Sequence, residues 1–162
     1  MRKVNFNMIL CESADENTSN INNIFDVITM DDEQRISFTV AVFINAIEWD
    51  VDRFKLYFFV QNLDKGLSTY LGSADFSNEK SQKKRSNGNY EFGSRKNMGQ
   101  FTTNFLVEKL YIPEAGSYEI QLYMAEGEDA EDLDSKTLEE SIAFAIDERL
   151  VATYDFEVED TH

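Results

Sequence analysis

Hydrophobic and polar residues alternate along most of this chain. Val4, Phe6, Met8 and Leu10 fall on one side of an extended backbone, with Asn5 and Asn7 on the other. That is the period-two pattern of a strand with one buried face. Residues 14–20 are rich in turn formers and precede Ile21, Ile24, Phe25, Val27 and Ile28. The segment 20–30 is therefore expected to fold back on the first strand as a hairpin. Ile36, Phe38, Val40, Val42 and Ile44 define a long strand, and Phe54, Leu56, Phe58 and Val60 another, joined by the acidic residues 45–52. The opposite faces of these two also carry aromatics, Phe43 on the first and Tyr57 and Phe59 on the second. Such strands are either central in a sheet or covered on their outer face. Tyr70 and Leu71 are expected in a short further strand after the Asp64-Lys65-Gly66 turn.

From 77 to 97 the chain turns to Ser, Asn, Lys and Gly, with Asn87-Gly88 as a turn signal. An exposed, mobile loop is expected there, with room for a short hairpin around Tyr90 and Phe92. Alternation resumes through Phe101, Phe105, Val107, Leu110 and Ile112. Next comes Pro113-Glu114-Ala115-Gly116-Ser117-Tyr118, leading into Ile120, Leu122 and Met124. A turn with Pro and Gly and then Tyr at the head of a strand matches the tyrosine corner of immunoglobulin-like sandwiches, so Tyr118 is expected to be structural. Leu150, Ala152, Tyr154, Phe156 and Val158 form the last strand.

The segment before that strand reads two ways. Asp134 or Ser135 could cap a helix with Leu138, Ile142, Ala145 and Ile146 on one face, which would strand Phe144 on the other. Alternatively Ile142, Phe144 and Ile146 alternate as a strand turning at 147–149. The preferred expectation is a short helix near 135–141 followed by a hairpin. The fold class is thus all-β: an immunoglobulin-like antiparallel sandwich of about seven to nine strands, with one short helix or an acidic insertion (126–149) before the last strand.

Composition agrees with a well-cored chain. At 162 residues and 42% hydrophobic, with thirteen Phe and seven Tyr, it has the apolar surface that disordered acidic chains lack. One domain over 1–162 is expected. No apolar run reaches the ~20 residues of a membrane span. The start lacks the marks of a signal peptide. Cys11 is the only cysteine, so a reducing cytoplasm is the simplest compartment, and Cys11 itself is expected to be a small buried residue. The formal charge is -16. Residues 77–97 offset it locally, with six Lys or Arg against two Glu, including Lys83, Lys84 and Arg85. One basic loop on an acidic body disfavours direct binding of nucleic acid or anionic membrane by that body.

Residues 4–14 (VNFNMILCESA), 20–28 (NINNIFDVI), 113–123 (PEAGSYEIQLY) and 150–158 (LVATYDFEV) together resemble an uncharacterised family of small bacterial β-sandwich proteins, a domain of unknown function. The resemblance spans both ends and much of the middle. This chain departs from the pattern at Ile24, where members tend to have Gly before Phe-Asp, in the basic loop, and in the insertion. The likeness implies a fold and no catalytic residues.

The chemistry of most enzyme classes has no foothold here. The one histidine is His162, the last residue, which rules against Ser-His-Asp and Cys-His sites and histidine-rich metal centres. No GxxxxGK[ST] or GxGxxG occurs. The acidic Glu126, Glu128, Asp129, Glu131, Asp132 and Asp134 lack calcium-loop spacing, and their ordinary reading is a solvated loop. No cofactor or bound metal is expected, and the expected function is non-enzymatic: a protein-protein interaction module of a bacterium or phage. Trp49 is a candidate contact residue, or a cap on the sandwich end, and Lys83, Lys84 and Arg85 of the basic loop are further candidate contacts to a partner. Phe43, Tyr57 and Phe59 could meet a protein partner or a second copy of the chain, unless the helix or the long loop covers them. The alternative is an acidic, nucleic-acid-mimicking inhibitor of a DNA- or RNA-binding protein, of the antirestriction or anti-CRISPR kind, using the carboxylates of 126–134.

Overall fold

The computed structural model describes residues 3–14, 21–48, 53–77 and 99–160. Along these the strands are β1 (Lys3–Ala14), β2 (Ile21–Ile24), β3 (Val27–Thr29), β4 (Arg35–Glu48), β5 (Arg53–Asn62), β6 (Leu67–Ser77), β7 (Gly99–Tyr111), β8 (Gly116–Glu126) and β9 (Leu150–Glu159). They form two sheets, β2-β1-β4-β7 and β3-β9-β8-β5-β6. Every pairing is antiparallel except that of β3 with β9. The sheets face each other as the expected immunoglobulin-like sandwich.

The alternating apolar residues fill the space between the sheets. Leu10, Val40, Val42 and Ile44 come from one side and Leu56, Phe58, Ile120 and Leu122 from the other, all fully buried. Each such side chain stabilises the fold by about 1.5–3 kcal/mol. Phe58 of β5 and Phe105 of β7 stack at 4.1 Å, and Phe38 of β4 meets Phe156 of β9 at 6.1 Å. Gly72 of β6 is needed under the first pair: a Cβ there would come within 2.6 Å of the Phe105 ring, at a backbone φ of +154°.

The expected hairpin with β1 forms only in part. Residues Ile21–Ile24 do pair with β1, Ile24 opposite Cys11. Beyond a bend at Asp26, however, Ile28 pairs with Val158 in the other sheet. The switch is held where Phe25 N–H donates to the Leu10 carbonyl and the Tyr154 hydroxyl to the Phe25 carbonyl, both at 2.8 Å. The segment thereby gives one edge strand to each sheet, β2 beside β1 and β3 beside β9. The strand around Tyr70 is also longer than expected, eleven residues: Ser68, Thr69 and Ser73 break the apolar alternation, while the pairing with β5 runs the whole length with one register shift, between Phe58 and Phe59.

The corner is as expected. Tyr118 Oη donates to the Glu114 carbonyl at 2.7 Å and accepts from Asn62 Nδ2 at 3.3 Å. Asn62 Oδ1 accepts from the backbone of Asp64 and Lys65, and Lys65 pairs with Glu114 at 2.9 Å. The β5–β6 turn and the corner before β8 are thus one unit. Burial first, then the nearby Glu114 carboxylate, pushes the Tyr118 hydroxyl above its ordinary pKa.

Candidate functional site

The acidic segment folds down onto the sandwich. A 3-10 turn at Gly127–Asp129 leads through Leu133 to helix α1 (Leu138–Phe144), and a second 3-10 turn at Asp147–Arg149 feeds β9. Residues 142–146 therefore form no strand, contrary to the expected hairpin. The cap is Thr137, rather than Asp134 or Ser135: its hydroxyl accepts from Glu140 N–H, and the Glu140 carboxylate accepts from Thr137 N–H, each at 3.2 Å. This reciprocal pair fixes where the helix starts. The buried face is also reversed. Ser141 and Phe144 are inside, while Leu138 is 53% and Ile142 44% exposed.

The reason lies beneath the helix. Tyr57 and Phe59 of β5 and Tyr123 of β8 form an aromatic floor on the outer face of their sheet, and Leu133 and Phe144 close over it. Phe144 sits 4.7 Å from the Tyr57 ring, with the Arg149 guanidinium 4.2 Å over it. Tyr57 Oη donates to the Glu131 carbonyl at 2.7 Å and Tyr70 Oη to Asp134 Oδ1 at 2.8 Å. Burial, and less strongly the Asp134 carboxylate, pushes the Tyr70 hydroxyl far above its usual range. The face formed by Tyr57 and Phe59 is thus covered by the chain itself. Phe43, on the outer face of β4, is half-buried.

The candidate carboxylates do not converge. Glu126 is half-buried at the end of β8, Glu128, Asp129, Glu131 and Asp132 are exposed, and Asp134 is engaged by Tyr70. Among the described residues no three His, Cys, Asp or Glu side chains are arranged to hold a metal ion. Trp49, Lys83, Lys84, Arg85 and most of the 77–97 loop lie outside the described residues. Cys11 is fully buried, its thiol pushed up by that burial and directed at the Thr39 carbonyl, as expected of an inert cysteine. No described helix is long and apolar enough to cross a membrane.

A carboxylate row not singled out from the sequence runs along β9. Asp155, Glu157 and Glu159 are exposed between buried Phe156 and Val158, spaced about 7 Å apart by the strand repeat. Glu119 of β8 lies opposite Asp155. Its carboxyl is pushed up, mainly by burial and further by Asp155, against the opposing hydrogen bond from Gln121.

The other feature missed is an opening between β6 and β7, the outermost strands on one side of the two sheets. Thr69 pairs with Val60 and Leu67 with Asn62, so both point to the core side of β6. Phe105 covers Gly72 above them. Below Phe105 no described strand covers them: Thr69 is exposed and Leu67 is 66% exposed. A cavity of about 330 Å3 remains there, lined chiefly by Val60, Leu67, Thr69, Leu110, Ile112 and Tyr118. Tyr111 at its rim is 54% exposed.

No protein-family model matches the chain, and no curated protein matches it either. Similar solved structures include the CARDB domain of the PF1109 protein from Pyrococcus furiosus, in complex with di-metal ions. It is 11% identical, with a TM-score of 0.47, over 97% of this chain and 88% of that one. A β-glucosidase from Listeria innocua is 8% identical, with a TM-score of 0.49, over 98% of this chain and 16% of that one. The alkylpurine DNA glycosylase AlkC of Pseudomonas fluorescens, bound to DNA containing an abasic site analog, is 5% identical, with a TM-score of 0.46, over 96% of this chain and 30% of that one. Likenesses of this size bear on neither activity nor partner.

Proposed function

We propose that the protein is a non-enzymatic, cytoplasmic protein-protein interaction module of a bacterium or phage, engaging its partner at the open side between β6 and β7. The observation that carries this is the exposure of core-facing Leu67 and Thr69 beside a largely apolar cavity. A sandwich gains by covering such positions, and apolar recesses beside exposed aromatics are where binding energy concentrates. The test is capture of host proteins on the immobilised full chain, eluted with a salt gradient, beside the variant Leu67→Lys. Retention at high salt that the variant abolishes is the expected result. Capture unaffected by the variant counts against this site.

A second function is favoured by the carboxylate row: an acidic inhibitor that presents charge to a nucleic-acid-binding protein as a phosphate backbone does. Asp155, Glu157, Glu159 and Glu119 support it, because they form a contiguous anionic surface on one sheet face. Binding through such a face weakens steeply with salt. Elution of a basic, nucleic-acid-binding partner at modest salt, insensitive to Leu67→Lys, would favour this function over the first.

A further inference from the structure

We propose that residues 127–149 are a releasable cover that its own carboxylates spring away from the sheet, so that ionic strength sets how often the aromatic floor beneath is uncovered. This device uses the outer face of the five-stranded sheet and does not depend on a partner beside β7. The connection permits the movement. The segment joins β8 to β9, which pair with each other from Gly116 opposite Val158 to Tyr123 opposite Leu150, while β8 pairs with β5 from Tyr118 to Glu126. Neither ladder includes a residue of 127–149, so lifting the segment breaks no pairing of the sheet. Gly127, at φ +54°, stands at the joint with β8, a left-handed turn that glycine takes without strain.

The grip is narrow. Of residues 127–149, Leu133, Ser141 and Phe144 are buried and Ala130, Ala145 and Arg149 half-buried, and the others are exposed. Leu133 and Phe144 meet Tyr57, Phe59 and Tyr123, helped by the bonds from Tyr57 to the Glu131 carbonyl and from Tyr70 to Asp134. A segment held by so few buried side chains opens at lower cost than the strands that fill the sandwich. Charge works against even this grip. Nine Asp or Glu stand in 127–149 against Lys136 and Arg149, which leaves -7 on the cover, and of the total of -16 the remaining -9 lies on the rest of the chain, its basic loop included. Closure brings the two together. The Tyr123 hydroxyl, pushed up first by burial, is pushed further by Asp147 of the cover and by Glu119 of the sheet, so carboxylates from both sides act on one phenol. Lys136 lies 4.0 Å from Glu140 within the cover, and Arg149 is held by the Phe144 ring and carbonyl. Lys55 of β5, 5.8 Å from the Tyr57 ring centroid, offsets one charge of the seven. Like charges repel over a screening length that falls from about 30 Å at 0.01 M salt to about 3 Å at 1 M. Opening is therefore favoured at low salt, and it bares Tyr57, Phe59 and Tyr123 as a contiguous apolar patch of the kind that marks an interaction surface.

The test is hydrogen exchange of the full chain in sodium chloride from about 0.01 to about 1 M, with the free peptide of residues 127–149 supplying the unprotected rates at each concentration. As salt rises, protection of 131–149 should increase about tenfold or more relative to β5 and β8, and binding of a neutral hydrophobic dye should fall. Glu128→Gln with Asp147→Asn and Glu148→Gln neutralises three exposed carboxylates. It should raise protection at low salt and flatten the rise, with circular dichroism checking that it folds. The three single variants, each a third of the change in charge, decide the same way if the triple variant does not fold. A salt effect that survives in full after neutralisation is the ordinary strengthening of an apolar contact by salt and overturns the spring. Protection of 131–149 that matches β5 and β8 at every salt concentration means that cover and core open together, which overturns the proposal as a whole.

Discussion

Phe144→Ala separates two possibilities for the acidic segment, an integral part of the core or a cover docked upon it. Phe144 is 5% exposed and Leu133 1%, and these are the large apolar side chains the segment buries against the aromatic floor. Deleting a fully packed Phe costs about 3–5 kcal/mol, and the Arg149 contact adds about 0.5–1 kcal/mol. What remains is Leu133 and the bonds from Tyr57 and Tyr70, worth about 1 kcal/mol each. A helix of seven residues does not hold its shape unsupported. The variant therefore loses most of the docking energy while the sandwich beneath keeps its own core. Hydrogen exchange should accelerate at least tenfold across 131–149, corresponding to ~1.4 kcal/mol or more of easier local opening. Meanwhile the global unfolding midpoint in urea should fall less than it does for Phe58→Ala, whose ring stacks between the sheets. An exposed aromatic floor should also bind a hydrophobic dye. A drop in midpoint equal to that of Phe58→Ala, with exchange of 131–149 unchanged relative to the strands, would show that cover and core unfold as one unit.

Tyr118→Phe leaves the Glu114 carbonyl without its 2.7 Å partner and should cost about 1–3 kcal/mol in urea unfolding, with an unchanged midpoint refuting the corner's role. Tyr70, Tyr118, Tyr123 and Tyr154 all have raised pKa values with burial as the first cause; the folded state holds these protons more tightly, so their contribution is intact below about pH 10 and lost as pH rises beyond it. Tyrosinate absorbance during an alkaline titration should therefore rise together with unfolding; ionisation of all seven tyrosines near pH 10 in a still-folded chain would refute this. Glu119 likewise has a raised pKa, so its contribution is present below the ordinary carboxylate range and lost as pH rises through it. Glu119→Gln should accordingly stabilise by about 0.2–1 kcal/mol at neutral pH, and the gain should vanish at acid pH; equal gains at both would refute the pairing with Asp155. Gly72→Ala forces the Phe105 ring to shift from 2.6 Å and should destabilise by about 1–3 kcal/mol through that overpacking; thermal unfolding beside Gly66→Ala, which meets nothing within 4 Å and carries only the backbone strain of its φ of +70°, separates the ring clash from the cost of a positive φ.

The strands and the corner were legible because each is a local pattern. Alternation at 36–44 and 54–60 gives the buried faces directly, and the Pro-Gly-Tyr spacing at 113–118 needs only a reach of four residues. The helix was half legible. Its cap was written as Thr137-x-x-Glu140, yet its buried face was not, because an amphipathic pattern states which residues are apolar and not which surface awaits them. Phe144 wins over Leu138 and Ile142 because the floor of Tyr57, Phe59 and Tyr123 is assembled from strands 66 residues apart in the chain, a juxtaposition set by sheet order. The opening beside Leu67 was hidden for the same reason. Leu67 and Thr69 look like ordinary alternating positions until the facing sheet is seen to end at β7. The switch of Val27–Thr29 into the second sheet depends on the distant Tyr154 and Glu157, which no window around residue 27 contains.

The two proposed modes of binding use surfaces that do not overlap. From Glu119 to Asp160 only Lys136 and Arg149 interrupt a run of carboxylates, and their segment packs on the outer face of the five-stranded sheet, where Asp155, Glu157 and Glu159 also point. The cavity opens instead on the side between β6 and β7, with Lys65, Glu114 and Glu108 of both signs around it. Charge alone therefore gives a partner long-range attraction toward the molecule and no seat in the cavity, whereas apolar contact gives a seat with weak dependence on salt. Asp155→Lys with Glu157→Lys should slow association and flatten its salt dependence while leaving dissociation nearly unchanged, if the partner sits beside β7. Leu67→Lys should do the reverse, speeding dissociation with little effect on association. A partner whose dissociation responds to the β9 charges and ignores Leu67 sits on the carboxylate face, and the open side is then not its site.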